Sequence, residues 1–196
     1  MKKIISLLLA LTMLAAMAVG CADNNNETTA GTTESKVVVP ASALEILNNI
    51  WALYGDEEKF PVMGGDYETM NPEGPGNYGL TDVETLGVQL LVPADQVKNI
   101  TEAASLFHGM MLNNFTCGVF HVAEGVDAAA FADTMHEAVK NAQWMCGMPE
   151  KTVIAVIGGE YVLMAFGIND AINPFETKLT TAYPDAVVKY SEAIVG

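Results

Sequence analysis

Two strand-length apolar runs joined by a Gly-Gly pair set the frame for this chain: Thr152 to Ile157, then Gly158-Gly159, then Glu160 to Gly167. A two-residue loop reverses a strand through the positive φ angles of a primed turn, which glycine adopts without penalty. The segment therefore predicts an antiparallel hairpin. Phe115 to Val122 is another strand, apolar at positions that face both ways, and hence central. Between these strands, Gly125 and Asp127 open a helix in which Phe131, Met135, Ala138, Ala142 and Met145 recur at spacings of three and four. Asp133, Glu137 and Lys140 take its outer side, and Gly147 and Pro149 stop it. After the hairpin, Asn173-Pro174-Phe175-Glu176 carries a cap, a first-turn proline and an acid three residues beyond the cap. That helix ends before Pro184. Ala186 to Tyr190 reads as a last strand, although Val187 to Ile194 also fits a helix. The order from Phe115 is strand, helix, strand, strand, helix, strand. It predicts an α+β domain with a ferredoxin-like, mostly antiparallel sheet and helices on one face.

Upstream, Ser42-Ala43-Leu44-Glu45 is a capping box, and Leu44, Leu47, Ile50, Trp51 and Tyr54 follow at helical spacing until Gly55. This predicts an N-terminal helix. From Asp56 to Asp82, glycines and prolines crowd together and periodicity is lost, which predicts a long Gly/Pro-rich loop; loops of this length are characteristically functional or disordered. Glu84 to Val92 reads as a strand ending at Pro93. Pro93 then starts a helix reaching about Leu112, with Val97, Ile100, Ala104, Phe107 and Met111 on its inner face.

The first twenty-one residues, MKKIISLLLALTMLAAMAVGC, have the charge, apolar length and small-residue exit of an export signal. Cleavage after residue 20 leaves Cys21 at the N-terminus, carrying lipid on its sulfur. The organisation expected is a lipoprotein signal peptide over 1–20, a lipidated cysteine and polar tether over 21–40, and one domain over 41–196. The expected location is the extracytoplasmic face of the cell membrane, held by the lipid on Cys21. Loss of Lys2 and Lys3 takes the formal charge from −15 to −17, and the chain has no arginine. Such a surface repels polyanions over a Debye length of about 8–10 Å, which argues against nucleic acid and anionic headgroups as partners. Such a charge serves first to keep an exported protein soluble, and it also favours cationic ligands, whether a basic peptide, a polyamine or calcium.

Candidate chemistry is sparse. An exported chain permits a disulfide between Cys117 and Cys146, but two separately buried thiols are the reading the sequence favours. Trp144-Met145-Cys146-Gly147-Met148-Pro149 has the tryptophan of a thioredoxin-type site, but Pro149 stands where the second cysteine belongs. The segment also sits at a helix end, whereas a redox thiol draws its low pKa from a helix N-terminus. Cys117 and His121 share one face of a strand at a separation of roughly 13 Å, too far to chelate one ion. His108 and His136 read as interior or half-buried residues, and no metal or cofactor is expected. In the long loop, Asp66 and Glu68 offer carboxylates without EF-hand spacing. Phe60, Tyr67 and Tyr78, with Asp66 and Glu68, mark that loop as the candidate contact surface, and the same three aromatics equally fit packing back onto the core. No G-x-S-x-G, H-E-x-x-H or phosphate-cradling motif occurs.

The stretch from Val92 to Tyr183 carries Ala103-Ala104-Ser105-Leu106, Asn113-Asn114-Phe115-Thr116, Gln143-Trp144-Met145-Cys146-Gly147 and Ala165-Phe166-Gly167. On these residues the chain resembles a group of uncharacterised small lipoproteins of Gram-positive anaerobes, some loosely labelled bacteriocin transport accessory protein. The resemblance implies an extracytoplasmic, lipid-anchored domain. Through that label it also implies an accessory role in peptide export, which is thiol-dependent where a C-x-x-C pair exists; this chain has Cys146 alone at the corresponding place. The function expected is a non-enzymatic interaction or ligand-binding protein whose partner is an exported or membrane protein or a cationic ligand. The alternative is an accessory factor of peptide or bacteriocin export, with or without thiol chemistry.

Overall fold

Ser42 starts the first element by turning its side chain back on the backbone: Oγ accepts from Glu45 N–H at 3.0 Å, which caps α1 (Ala43–Trp51). This is a computed structural model, and it describes residues 39–145 and 147–195. The signal peptide, Cys21 and most of the tether, like Cys146, lie outside the described residues. The described residues belong to one compact unit, and no described helix is long and apolar enough to cross a membrane.

Beyond α1 come β1 (Val62–Met63), β2 (Gly76–Asn77), α2 (Val83–Leu90), a 3₁₀ segment Ala94–Asn99, β3 (Ile100–His108), a 3₁₀ turn Leu112–Asn114 and β4 (Phe115–Val122). Next are α3 (Ala128–Lys140), β5 (Lys151–Ile157), β6 (Tyr161–Gly167), α4 (Asn169–Ala182) and β7 (Val187–Ala193). The fold is α+β, with a seven-stranded sheet in the order β1-β3-β4-β6-β5-β7 and β2 also paired to β3. Every pairing between named strands is antiparallel. The β5–β6 hairpin turns through Gly158 at φ 61° and Gly159 at φ 78°.

Two expectations about layers are corrected. In a ferredoxin-like order β7 would pair with β4, but β3 occupies that edge and β7 lies beside β5 instead. The crossovers β4-α3-β5 and β6-α4-β7 then step the same way across the sheet from strands of opposite direction. Right-handed crossovers of that kind send their helices to opposite faces. Accordingly, α1 and α4 cover one face through Ile46, Leu47, Phe175 and Leu179, and α2 and α3 cover the other through Leu86, Leu90, Phe131 and Met135. Helices on one face, as expected from the sequence, is therefore not the arrangement. With both faces covered, all seven residues of β6 are buried.

The segment 84–92 is a helix, not a strand. Asp82 caps α2 by accepting from Thr85 N–H at 3.0 Å, and Leu86 and Leu90, four apart, are both fully buried. The segment 93–112 is chiefly strand, not helix. Ala103 to Phe107 is buried at every position, and an unbroken apolar run always contains a subset at helical spacing, so pairing with β4 decides. α3 stops at Lys140, short of Met145. α4 begins at Asn169, one turn before the predicted cap, so Asn173 is interior and Pro174 lies inside the helix. Gly118, opposite Ser105 and Met164, admits α2 closely: a Cβ there would meet the Phe120 ring at 2.7 Å and Leu90 Cδ2 at 3.2 Å.

Candidate functional site

At the end of the sheet where β4 begins and β6 finishes, three segments distant in sequence leave a cleft of about 360 Å³. Val88, Gln89 and Leu91 come from the end of α2, Met111, Leu112 and Asn113 from the turn before β4, and Ala142 to Met145 from the chain after α3; Phe166 supplies the floor. Local geometry fixes each wall. Leu91 ends α2 in a left-handed conformation at φ 55°. Asn113 Nδ2 donates to Met145 O at 2.8 Å and Gly147 O at 2.6 Å, tying the post-α3 segment to the turn. The Trp144 ring lies 4.9 Å from that of Phe166.

A second hollow of about 210 Å³ shares Gln89 and Leu112 with the first and is walled by Met63, Gly65, Asp66, Tyr67 and Met70. Lining the pair, Met145 is 80% exposed, Tyr67 77% and Val88 72%. A contiguous apolar patch of this kind marks an interaction site more often than scattered apolar residues do. Unbranched, polarisable methionine suits a surface that must adapt to its occupant. A hollow of about 450 Å³ at the opposite end of the sheet is lined by Thr101, His121, Glu124 and Glu160 together with Val122, Ala123 and Val126.

The candidate contact residues are split by the fold. Tyr67 stands exposed on the rim of the smaller hollow, and Glu68 beside it is exposed. Asp66 is a hub: Oδ1 accepts from Glu68 N–H, Thr69 N–H and Thr69 Oγ1–H, each at 2.9 Å, and Oδ2 accepts from Gly79 N–H at 2.7 Å. Partial burial pushes its carboxyl upward, but these hydrogen bonds, led by Gly79, outweigh burial and hold it below the usual carboxylate range. Tyr78 is turned inward: it is 4% exposed, packs on Phe107, and donates to Gln89 Oε1 at 2.9 Å. Burial, then the charges of Asp66 and Asp82, push its phenol up to about 12. Phe60 belongs to the other face, stacked on His108 and edge-on to Trp51, Tyr54 and Phe115. The loop lies against the sheet because β1 and β2 pair with β3 and Ser105 Oγ accepts from Gly65 N–H at 2.9 Å.

Cys117 is a free thiol, fully buried in the α1/α4 core, and burial raises its pKa well above the ordinary value. A nucleophilic role for it is physically disfavoured. Among the described residues, no group of three or more His, Cys, Asp or Glu side chains is arranged to hold a metal ion.

A polar cluster between α3 and β7 escaped sequence reasoning. His136 Nε2 lies 2.6 Å from Glu192 Oε1, and its ring stacks on Tyr190 at 3.7 Å. Tyr190 Oη donates to Asp133 Oδ1 at 2.7 Å, and Lys189 Nζ donates to Asp133 and to Ala129 O. The Lys189 and Tyr190 hydrogen bonds hold the Asp133 carboxyl down, and the bond to Asp133 raises the Tyr190 phenol. These groups satisfy one another and clasp the edge strand to α3. The spacing of Asp133 and His136 on one helix face was the signal available, but their partners come from a strand more than fifty residues later.

Comparison of the chain with protein-family models, with curated proteins and with solved structures returns no match. The reading of the site therefore rests on its own geometry.

Proposed function

We infer that this chain is a lipid-anchored binding protein on the extracytoplasmic face of the membrane, without catalytic activity, which presents the methionine-lined cleft to a partner. The observation that carries the reading is the cleft itself: an apolar hollow with Met145 and Val88 exposed at its rim. Two of its three polar side chains are engaged within the protein, since Asn113 donates to two carbonyls and Gln89 accepts from Tyr78, and the third, Gln143, is exposed. Shape and apolar surface remain as the means of recognition.

The position of the cleft supports an anchored display. Val39 and Pro40 lie against Gly158, at the hairpin end of the sheet. β5 runs from the cleft end to that turn over seven residues, roughly 20 Å at about 3.3 Å per residue. A tether leading back to Cys21 leaves the domain at the end remote from the cleft. The finer topology belongs to the same proposal: β4-α3-β5-β6 keeps the first part of a ferredoxin-like order, and β7 with α4 is a relocated second part.

The test is a crosslinking pull-down from intact membranes with the full chain as bait, beside the Val88→Asp chain and a tether-only control. A stoichiometric exported or membrane protein captured by the parent chain and depleted with Val88→Asp is the expected result. Capture unaffected by Val88→Asp refutes the cleft as the site. Substrate turnover abolished by a single substitution refutes the non-catalytic reading.

A further inference from the structure

Resting on that reading of the cleft, we propose that its occupant is a cationic amphipathic peptide segment, which seats successive bulky apolar side chains in the two joined hollows and sets its basic residues against the acidic surface around them. The larger hollow of about 360 Å³ and the smaller of about 210 Å³ meet at Gln89 and Leu112. This two-lobed shape fits side chains spaced along a peptide, and each lobe accepts an apolar group through its Met, Leu and aromatic lining: Met111, Met145, Leu91 and Trp144 in the larger, Met63, Met70 and Phe107 in the smaller. Gln89, Asn113 and Asp66 in the walls are already bonded within the protein, which leaves exposed Gln143 as the polar side chain open to a solute and apolar burial as the main gain.

Charge selects among apolar occupants. The chain carries a formal −15 with no arginine. Lys140, Lys151, Lys178 and Lys189 each hold a carboxylate of this chain. No lysine lines either hollow, whereas Asp66 lines the smaller one and Glu68 stands exposed next to it. A second copy of so acidic a chain, or an anionic lipid surface, is repelled over about 8–10 Å at physiological salt, and a cationic segment is attracted over the same range. Electrostatic complementarity of this kind raises association rate and sets specificity, and apolar burial in the hollows supplies affinity.

Trp144 makes the site its own reporter. The chain has two tryptophans, and the other, Trp51, is buried in the opposite core at 9% exposure. The experiment titrates the exported full chain carrying Cys21→Ser with three synthetic peptides: an amphipathic leucine/lysine peptide, its leucine/glutamate counterpart, and a lysine/serine peptide of equal charge. The leucine/lysine peptide is expected to shift Trp144 emission to the blue and to bind at least about tenfold tighter than the other two, a ratio worth about 1.4 kcal/mol. Its affinity falls as salt rises, and Val88→Asp or Met145→Asp weakens it by about tenfold or more. Both positions are at least 72% exposed, so these substitutions leave the fold intact. Equal binding of the leucine/glutamate peptide overturns the cationic assignment while leaving the cleft as a binding site. Tight binding by the lysine/serine peptide, with no Trp144 response, overturns the apolar docking. Binding of the leucine/lysine peptide that ignores both aspartate variants overturns this proposal and the reading of the cleft together. No binding of any of the three peptides overturns the peptide proposal alone.

Discussion

Replacing Asp66 with asparagine tests whether one carboxylate holds the 56–82 segment in the shape that walls the smaller hollow. The amide oxygen of asparagine can keep the three bonds now made by Oδ1 with Glu68 N–H, Thr69 N–H and Thr69 Oγ1–H. The amide nitrogen then faces Gly79 N–H, a donor against a donor, where Oδ2 now accepts at 2.7 Å. A hydrogen bond to a charged group contributes about 1.5–3 kcal/mol, and the partial exposure of Asp66 places this one near the lower end. About 1.5 kcal/mol corresponds to a rise of roughly tenfold in the local opening equilibrium. Hydrogen exchange at the Gly79 amide reads it directly, because that amide is protected through this bond. The acid dependence has a definite sign. The folded-state pKa of Asp66 is depressed, so its contribution is fully present above the unfolded value of about 3.9 and is lost as pH falls through the folded value. Gly79 protection should therefore drop below about pH 4 in the parent chain, and Asp66→Asn should remove that component. Unchanged Gly79 exchange in Asp66→Asn, or the same acid-dependent loss in both proteins, refutes the assignment of Asp66 as the hub.

Gly118→Ala drives a methyl into the Phe120 ring and Leu90; overpacking of this kind costs about 1–3 kcal/mol, and a domain of this size loses about 2–4 °C of Tm per kcal/mol. Combining it with Leu90→Ala should give a smaller total loss than the two single losses added, read by denaturant melts. In a chain carrying Cys21→Ser and Cys146→Ser, Cys117 should stay unreactive toward Ellman's reagent until the domain unfolds, because the thiol is fully buried with its pKa raised; reaction at the rate of a free thiol in the folded state refutes its placement. Tyr54 Oη is buried with no hydrogen-bond partner among the described residues, so Tyr54→Phe should leave stability unchanged or raise it by up to about 1 kcal/mol, and a loss of more than that contradicts the packing described.

The legible parts of the fold are those whose determinants sit close together in sequence. Gly158-Gly159 announces its hairpin, Asp127 caps α3 by accepting from Ala129 N–H at 2.8 Å, and Ser42 caps α1. The misread parts share a cause: the central strands are apolar on both faces, so periodicity loses its power to separate strand from helix. Val97 to Phe107 offered a helical subset, and the decisive fact, pairing of β3 with β4, is not local. For α2 a local signal existed, since Asp82 followed by Thr85 is a cap, but the apolar run from Leu86 to Val92 masked it. The relocation of β7 also lies outside local sequence, because it depends on β3 already occupying the edge of β4.

The cleft was hidden for a related reason. Helical spacing places Met111 and Met145 on the inner faces of two helices; β3 replaces the first helix and α3 stops at Lys140, which leaves both methionines at the surface. A cue was present in retrospect: Met110, Met111, Met145 and Met148 stand beside Asn and Gly in turn-forming stretches, where an apolar side chain has no helix face to join. The aromatic residues of the 56–82 segment pointed only partly to the site, since the same pairing with β3 that orders the segment buries Tyr78 and turns Phe60 to the opposite core.

The central claim is that the partner meets this chain at the methionine-lined cleft, at the end of the domain away from its tether. The most direct measurement is site-specific photocrosslinking in intact cells, with the photoreactive residue placed at position 145 or 88 at the cleft and at the exposed Lys98 or Glu57 as controls. The account predicts one discrete adduct from positions 145 and 88 and none from positions 98 and 57. Adducts of equal yield from all four positions, or from the control positions alone, contradict it.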